Sequence, residues 1–165
     1  MSTLLTRSKH FTIDKIKNTA MNHEHYMQLA IDQARKAEKM DEVPVGAVIT
    51  DDNGNILASA HNQTITKSDP TAHAEIKALR QASAKLQNYR LLSTTLYATV
   101  EPCVMCMGAI VHARVQCVVF GAPDPKWGAA GSLYNFSEDV RLNHHPQIIS
   151  GICADECRTM LQRFF

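Results

Sequence analysis

The sequence has no apolar run long enough to span a membrane. Its longest such run, Val43 to Ile49, falls far short of the roughly 20 residues that a transmembrane helix needs. The basic residues near the N-terminus are not followed by an apolar segment, so no secretory signal is predicted. We therefore expect no membrane partner.

The sequence also lacks an excess of charge of either sign. Lys and Arg number 17 and Asp and Glu number 16, which gives a formal net charge of +1. This balance does not indicate a nucleic-acid-binding protein, although a local basic patch would be compatible with it. Hydrophobic residues make up 45% and charged residues 20%, which excludes wholesale disorder. A chain of 165 residues is long enough for one domain with its own core.

Cysteines are few, and their number, five, is odd. An odd count in a chain of this length argues against a disulfide framework and favours a reducing compartment, so we expect a cytoplasmic protein. In such a compartment, closely spaced cysteines are more often metal ligands or catalytic groups than disulfide partners.

The pattern of apolar residues and turn signals predicts one alternating α/β domain. We interpret residues 1–21 as an N-terminal extension, flexible or in a short helix, ahead of a domain over residues 22–165. Asp69 as N-cap and Pro70 at the first helical position predict where the second helix starts. Two predicted strands joined by a helix need a crossover connection, which makes them parallel and the sheet mixed. The predicted helices cover residues 22–40, 71–86, 103–113, 137–145 and 154–165, and the predicted strands 43–49, 56–61, 95–100, 115–121 and 147–149.

Two short motifs stand where two of these helices begin. The first is His73-Ala74-Glu75, and the second is Pro102-Cys103-Val104-Met105-Cys106. Cysteines three residues apart lie on one side of a helix start, where free N–H groups and the helix dipole favour the thiolate that binds metal. Two thiolates and an imidazole make three zinc ligands, and catalytic zinc sites have three protein ligands and an open position for water. A carboxylate beside that water, here Glu75, can act as a proton shuttle.

Other interpretations of these motifs are open at this point. A lone Cys-x-x-Cys is also found in redox pairs and in buried packing, and a lone His-Ala-Glu indicates almost nothing. The combination, with both motifs at helix starts, matches the H-x-E…P-C-x-x-C pattern of zinc nucleobase deaminases. A structural zinc module would instead unfold without its metal, whereas a domain of this size should keep its fold.

The residues around the two motifs resemble those of the cytidine deaminase superfamily and, within it, the bacterial tRNA-specific adenosine deaminases. The similarity runs from about residue 22 to the end of the chain. The deaminase motif alone indicates only the superfamily, whereas Thr71–Glu75 and Gly128–Ser132 narrow the resemblance to the tRNA enzymes. The matching stretches are Val43–Val48, Asp69–Glu75, Gln87–Leu91, Thr99–Cys106, Val119–Ala122, Gly128–Leu133 and Ala154–Cys157.

This resemblance implies a fold and a set of site residues. The fold would be a three-layer αβα sandwich around a mixed sheet of about five strands. One Zn²⁺ per subunit would be held by His73, Cys103 and Cys106, with Glu75 as the general acid and base. The protein would be a cytoplasmic homodimer. The residues that the resemblance assigns to substrate binding are Asn62, Ala74, Asp124, Asn143 and Phe164.

The resemblance also implies a reaction. A zinc-activated hydroxide would attack C6 of adenine while Glu75 shuttles protons, which makes the enzyme a hydrolase that converts adenosine to inosine at the wobble position of a tRNA anticodon loop. A single-stranded, splayed loop suits this chemistry because unstacking the base then costs little. The alternative is a deaminase of a free base or nucleoside, of guanine or cytosine type.

Several other cysteine, histidine, tryptophan and basic residues could bind a ligand by their chemistry, but the sequence completes no further site around them. We expect Cys117 in the core, the pair Cys153 and Cys157 in buried packing, and the pair His144 and His145 on the solvated surface. Two roles are open for Trp127, an exposed platform for a base or an anchor for its loop. Four basic residues of the N-terminal extension are candidates for phosphate contacts: Arg7, Lys9, Lys15 and Lys17.

Overall fold

A computed structural model describes the backbone of residues 7–165 and the side chains of residues 22–165. Residues 1–6, and the side chains of the four basic residues predicted to contact phosphate, lie outside that range. The elements are α1 (Arg7–Lys39), β1 (Gly46–Thr50), β2 (Ile56–His61), α2 (Ala74–Leu86), β3 (Thr95–Val100), α3 (Val104–Ala113), β4 (Cys117–Ala122), β5 (Gln147–Ser150) and α4 (Ala154–Phe164).

The five strands form one mixed sheet in the order β2-β1-β3-β4-β5. Strand β1 pairs antiparallel with both β2 and β3, whereas β3–β4 and β4–β5 are parallel. The β1–β2 hairpin closes where the Asp51 carboxylate accepts hydrogen bonds from the backbone N–H groups of Asn53 and Asn55, at 2.9 and 2.8 Å. The prediction of a mixed sheet with a parallel β3–β4 pair is confirmed.

Helices cover both faces of this sheet. On one face α2 and α3 pack over Ile49, Leu96 and Val118, and on the other α1 and α4 pack over Val48 and Val119. Neighbouring residues of a strand point to opposite faces, so the central strands are apolar on both sides, as parallel sheets require. The predicted three-layer αβα sandwich is confirmed. No helix in the described range has both the length and the hydropathy needed to cross a bilayer.

Two predicted helix starts were wrong. Helix α1 begins at Arg7, within the segment interpreted as an extension, rather than at residue 22. Helix α2 begins at Ala74 rather than at residue 71, with His73 as its N-cap. The reason is that Asp69 caps a separate turn, in which its carboxylate accepts hydrogen bonds from the N–H and the hydroxyl of Thr71, at 2.8 and 2.7 Å.

The helix predicted over residues 137–145 is also wrong, because this segment forms turns. The Asp139 carboxylate accepts hydrogen bonds from the backbone N–H and the guanidinium of Arg141. Such local side-chain bonds compete with helix formation. The strands predicted at 43–49 and 115–121 start later than expected, at Gly46 and Cys117.

Candidate active site

Helices α2 and α3 start beside each other on one face of the sheet, and each begins with a residue of the predicted zinc site. His73 is the N-cap of α2 and Cys103 is the N-cap of α3, both with extended backbone. Their carbonyl groups accept the first helical hydrogen bonds, from Lys77 and Met107, at 3.0 and 2.8 Å. Neither side chain caps its own helix. The imidazole and the thiol are therefore free to face each other.

These side chains, together with Cys106 one turn into α3, form a compact cluster. His73 Nδ1 lies 3.7 Å from Cys103 Sγ and 3.6 Å from Cys106 Sγ. One ligand atom from each residue lies within 4.8 Å of the others. A tetrahedral zinc ion with Zn–S of about 2.3 Å and Zn–N of about 2.0 Å would place sulfur and nitrogen about 3.6 Å apart. The separations of the three side chains therefore fit one zinc ion, with a fourth position open.

The protonation of the cluster also suits a cation. The hydrogen bond from the Cys106 thiol, together with that from His73, lowers the pKa of Cys103 to about 4, against an opposing effect of burial. The same bond raises the pKa of Cys106, which holds its proton as the donor. The hydrogen bond to Cys103 likewise raises the pKa of His73. The thiolate, the form of cysteine that binds a metal ion, is thus favoured at Cys103.

Glu75 is a buried carboxyl group next to this cluster. It is in the first turn of α2 and only 4% exposed. Burial raises the pKa of Glu75 to about 7, while the charge of His73 acts in the opposite direction. Its Oε2 atom is buried without a hydrogen-bond partner in the described part of the chain. A carboxyl group that titrates near neutrality and has a free oxygen is suited to taking up and releasing protons.

Two of the predicted substrate-binding residues flank the cluster. Ala74 is fully buried at the start of α2, between His73 and Glu75. Asn62 follows β2 and is buried, with its backbone N–H bonded to the carbonyl of Val45 at 3.0 Å. The next residue, Gln63, donates its N–H to the carbonyl of Ala72, directly before His73. The segment that carries Asn62 therefore runs alongside the metal-ligand segment.

The other three predicted substrate-binding residues lie in three different parts of the fold. Asp124 is half-buried in the loop after β4, and this loop pairs with Cys103 through Gly128. Asn143 is exposed and borders a cavity of about 170 Å³ with Gly108 and His112, in the second half of α3. Phe164 is in the last turn of α4, on the other face of the sheet, with its ring packed edge-on against Phe165. The roles of all three remain predictions.

Two buried or half-buried charged side chains that the sequence analysis missed hold the segment around Asn62. The fully buried carboxylate of Glu42 accepts hydrogen bonds from the backbone N–H groups of Ile65 and Thr66, at 3.2 and 2.5 Å. The ammonium group of Lys77 donates to the carbonyl of His61 at 2.9 Å and to the side chain of Gln63. These contacts join residues far apart in sequence, so no local sequence pattern predicts them.

Glu101 is the third side chain that the sequence analysis missed. It lies between β3 and Pro102, is 2% exposed, and its carboxylate accepts hydrogen bonds from the loop after β4. The available signal was a single acidic residue directly after a buried strand and two residues before a cysteine ligand.

The remaining expectations are mostly confirmed. Cys117 and Cys157 are buried in the core, and Cys153 is half-buried beside them. His145 is exposed as expected, but the prediction was wrong for His144, which is half-buried with its Nε2 2.6 Å from the carbonyl oxygen of Val115. The side chain of Trp127 is exposed.

Comparisons with known proteins agree with this site. Residues 20–122 match the family described as the cytidine and deoxycytidylate deaminase zinc-binding region. The chain is 49% identical over 153 residues to a tRNA-specific adenosine deaminase of Haemophilus influenzae, covering 93% of this chain and 88% of the relative. It is 48% identical over 142 residues to the protein of the same name in Bacillus subtilis, covering 86% and 88%.

A solved structure is also similar. It comes from a study of A-to-I editing by tRNA:A34 deaminases at the wobble position of transfer RNA, and it superposes with a TM-score of 0.80 at 42% identity. The superposition covers 83% of this chain and 99% of the other.

Proposed function

This chain belongs to the cytidine and deoxycytidylate deaminase family, and on that premise we propose that it hydrolyses adenosine to inosine at the wobble position of a tRNA anticodon loop, in the cytoplasm. The observation that carries the proposal is the buried Glu75 carboxyl, with one free oxygen, beside a His–Cys–Cys cluster that fits zinc. The relatives named above favour tRNA as the substrate over a free base or nucleoside.

In the proposed reaction the side chains of the protein hold the metal that activates water, and they transfer protons. His73, Cys103 and Cys106 would hold the zinc ion, which when bound would lower the pKa of a water molecule from 15.7 towards about 7. Glu75 takes a proton from the attacking water and delivers it to N1 of the adenine ring. The water oxygen forms a bond to C6. Glu75 then carries the remaining proton of the new C6 hydroxyl group to the amino group on C6. The C–N bond breaks, ammonia leaves and the C6 carbonyl of inosine forms.

The burial of Glu75 favours both the uptake and the release of a proton by its carboxyl group. A carboxyl group with an ordinary pKa would stay ionised at neutral pH and would return its proton poorly. In the metal-free chain burial raises the pKa of Glu75 to about 7, so burial acts against permanent ionisation of this carboxyl group. Asn62 and Ala74 are proposed to contact the target base, since they border the cluster, and Asp124, Asn143 and Phe164 to contact the surrounding loop.

The substrate assignment is tested by comparing small and macromolecular substrates. The full chain is incubated with a tRNA anticodon stem-loop carrying adenosine at the wobble position, and in parallel with free adenosine, cytidine and guanine. We expect inosine from the stem-loop and no ammonia above background from the free compounds. A matched stem-loop with the adenosine moved one position towards the 3′ end controls for position. Ammonia from a free compound without inosine from the stem-loop would overturn the assignment.

We also propose that the enzyme acts as a homodimer. Support comes from large apolar side chains that lie exposed on the described part of the surface, including Tyr89, Leu92, Tyr134 and Val140. Aromatic side chains are enriched at protein–protein interfaces relative to the rest of the surface. Light scattering of the purified chain tests the proposal, and a mass near 18.3 kDa, that of one chain, would contradict it.

A further inference from the structure

The loop over residues 123–134, which joins β4 to the segment before β5, runs along the start of α3. Gly128 forms a β-bridge with Cys103, and the N–H of Ala129 donates to the carbonyl of Pro102 at 2.9 Å. Consecutive Cα atoms are only about 3.8 Å apart. Trp127 and Ala129, the neighbours of Gly128, therefore lie close to the backbone of Cys103 at the edge of the candidate active site.

A single buried carboxylate fixes this loop. Glu101 accepts hydrogen bonds from the N–H groups of Asp124, Ala130 and Ser132, at 3.0, 3.0 and 2.9 Å, and from the Ser132 hydroxyl. An ionised carboxylate has about four acceptor positions, and four donors fill them. The loop also approaches the carboxylate closely, since a Cβ atom on Gly128 would lie 2.4 Å from Glu101 Cδ. Glu101 thus bonds to residues near both ends of the loop.

Trp127 is the one large aromatic side chain in the middle of this loop, directly before Gly128. Its backbone N–H and that of Lys126 donate to Asp124 Oδ1, at 3.3 and 3.0 Å. The indole itself is 66% exposed. The backbone bonds and Glu101 hold the loop, so the ring is not needed as its anchor. A rigidly attached, solvent-exposed indole beside an exposed lysine has the features of a nucleobase-stacking position.

We propose that Trp127 binds the substrate by stacking on an unpaired base that flanks the target adenosine, and that Glu101 is the positioning residue that holds the stacking loop beside the active site. This inference rests on the proposed function, because a stacking residue needs a nucleic-acid substrate. Stacking is tolerant of base identity. Trp127 therefore contributes to affinity for the loop rather than to the choice of the base that is converted.

The first test is spectroscopic and uses the native chain. Trp127 is the only tryptophan in the sequence, so the indole fluorescence reports on this position alone. The protein is titrated with an anticodon stem-loop that carries inosine at the wobble position, which prevents turnover during the measurement. We expect quenching of the emission that saturates together with binding, followed separately by the anisotropy of a labelled stem-loop. Saturable binding with unchanged emission would overturn the inference.

The second test is kinetic. Trp127→Ala should raise KM for the stem-loop by about 5- to 150-fold, the range that base–aromatic stacking supports, with kcat and zinc content near native values. Trp127→Phe keeps a stacking ring and should recover most of the loss. Leu86→Ala is the matched control, since Leu86 is also exposed but ends α2 away from His73. A Trp127→Ala chain with native KM would contradict stacking, and one with lowered kcat and lowered Tm would show an anchor instead.

Glu101 is tested through its coupling to Trp127. Glu101→Gln replaces one acceptor oxygen by an amide that faces N–H donors, so the loop should loosen. We expect a rise in KM with zinc retained, and a double variant, Glu101→Gln with Trp127→Ala, whose KM is close to that of the worse single variant. Rises that multiply in the double variant would contradict a positioning role.

The outcomes also separate this inference from the proposed function. A native chain that neither binds nor deaminates the stem-loop would overturn both. A native chain that makes inosine, with unchanged emission on binding and unchanged KM in Trp127→Ala, would overturn the inference alone.

Discussion

Two helices of this protein, α3 and α4, both have a cysteine at the N-cap, but the N-cap backbone is extended in α3 and left-handed in α4, and the chemistry of the two helix starts differs. Each has a cysteine as its N-cap and a second cysteine within the first turns: Cys103 and Cys106 in α3, Cys153 and Cys157 in α4. Sequence spacing alone would allow either pair to bind a metal. Among the residues whose side chains the structure describes, only the pair in α3 has a third potential ligand, because the start of α2 brings His73 to within 3.7 Å of both sulfur atoms.

In α3 the pKa of one thiol is lowered and that of the other is raised, whereas in α4 the pKa values of both thiols are raised. The hydrogen bond from Cys106 lowers the pKa of Cys103 to about 4. In α4, burial raises the pKa of Cys157 to about 12 and also raises the pKa of Cys153. The Cys157 sulfur packs against the bare backbone of Gly121 in β4, where an added Cβ would lie 2.5 Å from it. Two cysteines at a helix start are thus not enough to form a metal site. A neighbouring element must supply a further ligand.

Removing one cysteine from each pair should give the largest difference. Cys103→Ala leaves two of the three ligands, so we expect loss of bound zinc and inosine formation at background. Cys153→Ala, the matched change at the other helix start, should keep native zinc content and activity. Metal analysis by mass spectrometry together with the stem-loop assay measures both. Equal zinc loss in the two variants would contradict the claim that only the cysteine pair of α3 binds the metal.

Thiol reactivity should separate the pairs in the metal-free protein. Cys103, with a pKa of about 4, is a thiolate at every pH above that value, so it should react with iodoacetamide at pH 6. Cys157, with a pKa of about 12, is protonated and buried at that pH and should react only after unfolding. Peptide mass mapping after a timed exposure reads out both sites. Bound zinc should protect Cys103, and early labelling of Cys157 would contradict this account.

The smallest effect is expected from truncating the buried cysteine of α4. Cys157→Ala removes one sulfur atom from a packed core and should lower the free energy of unfolding by about 1 kcal/mol. Zinc content should not change, because α4 packs on the opposite face of the sheet from α2 and α3. Chemical denaturation of the native and variant chains measures the difference. A variant that lost zinc would show that the two faces are coupled.

The same contrast shows how much of the protein could be predicted from its sequence. The alternating order of helices and strands, the mixed sheet and the metal cluster were predicted from local signals, namely strand patterns and two short motifs at helix starts. The three-layer αβα arrangement was predicted from the family resemblance. The start of α2 was misplaced because the Asp69–Pro70 pair, a good helix signal, forms its own turn with Thr71. The helix predicted at 137–145 fails because Asp139 bonds its neighbour Arg141 instead.

Contacts between distant segments that carry no recognisable motif could not be predicted. Glu101 meets Ser132 and Glu42 meets Thr66 only after the chain has folded, since these pairs are separated by 31 and 24 residues. The free Oε2 atom of Glu75 was equally out of reach, because burial by surrounding elements creates it. Such long-range contacts explain how the loops are held, whereas the motifs explain only what the site contains.

The most direct test of the account is the zinc content and turnover of Glu75→Gln. The substitution keeps the size of the buried side chain but removes its ability to take up a proton. We predict one zinc ion per chain, as in the native protein, and a kcat for inosine formation lowered about 10²- to 10⁴-fold, the range for loss of a general acid or base. A variant that keeps kcat within a few-fold of native, or that loses its zinc, would contradict the role assigned to Glu75.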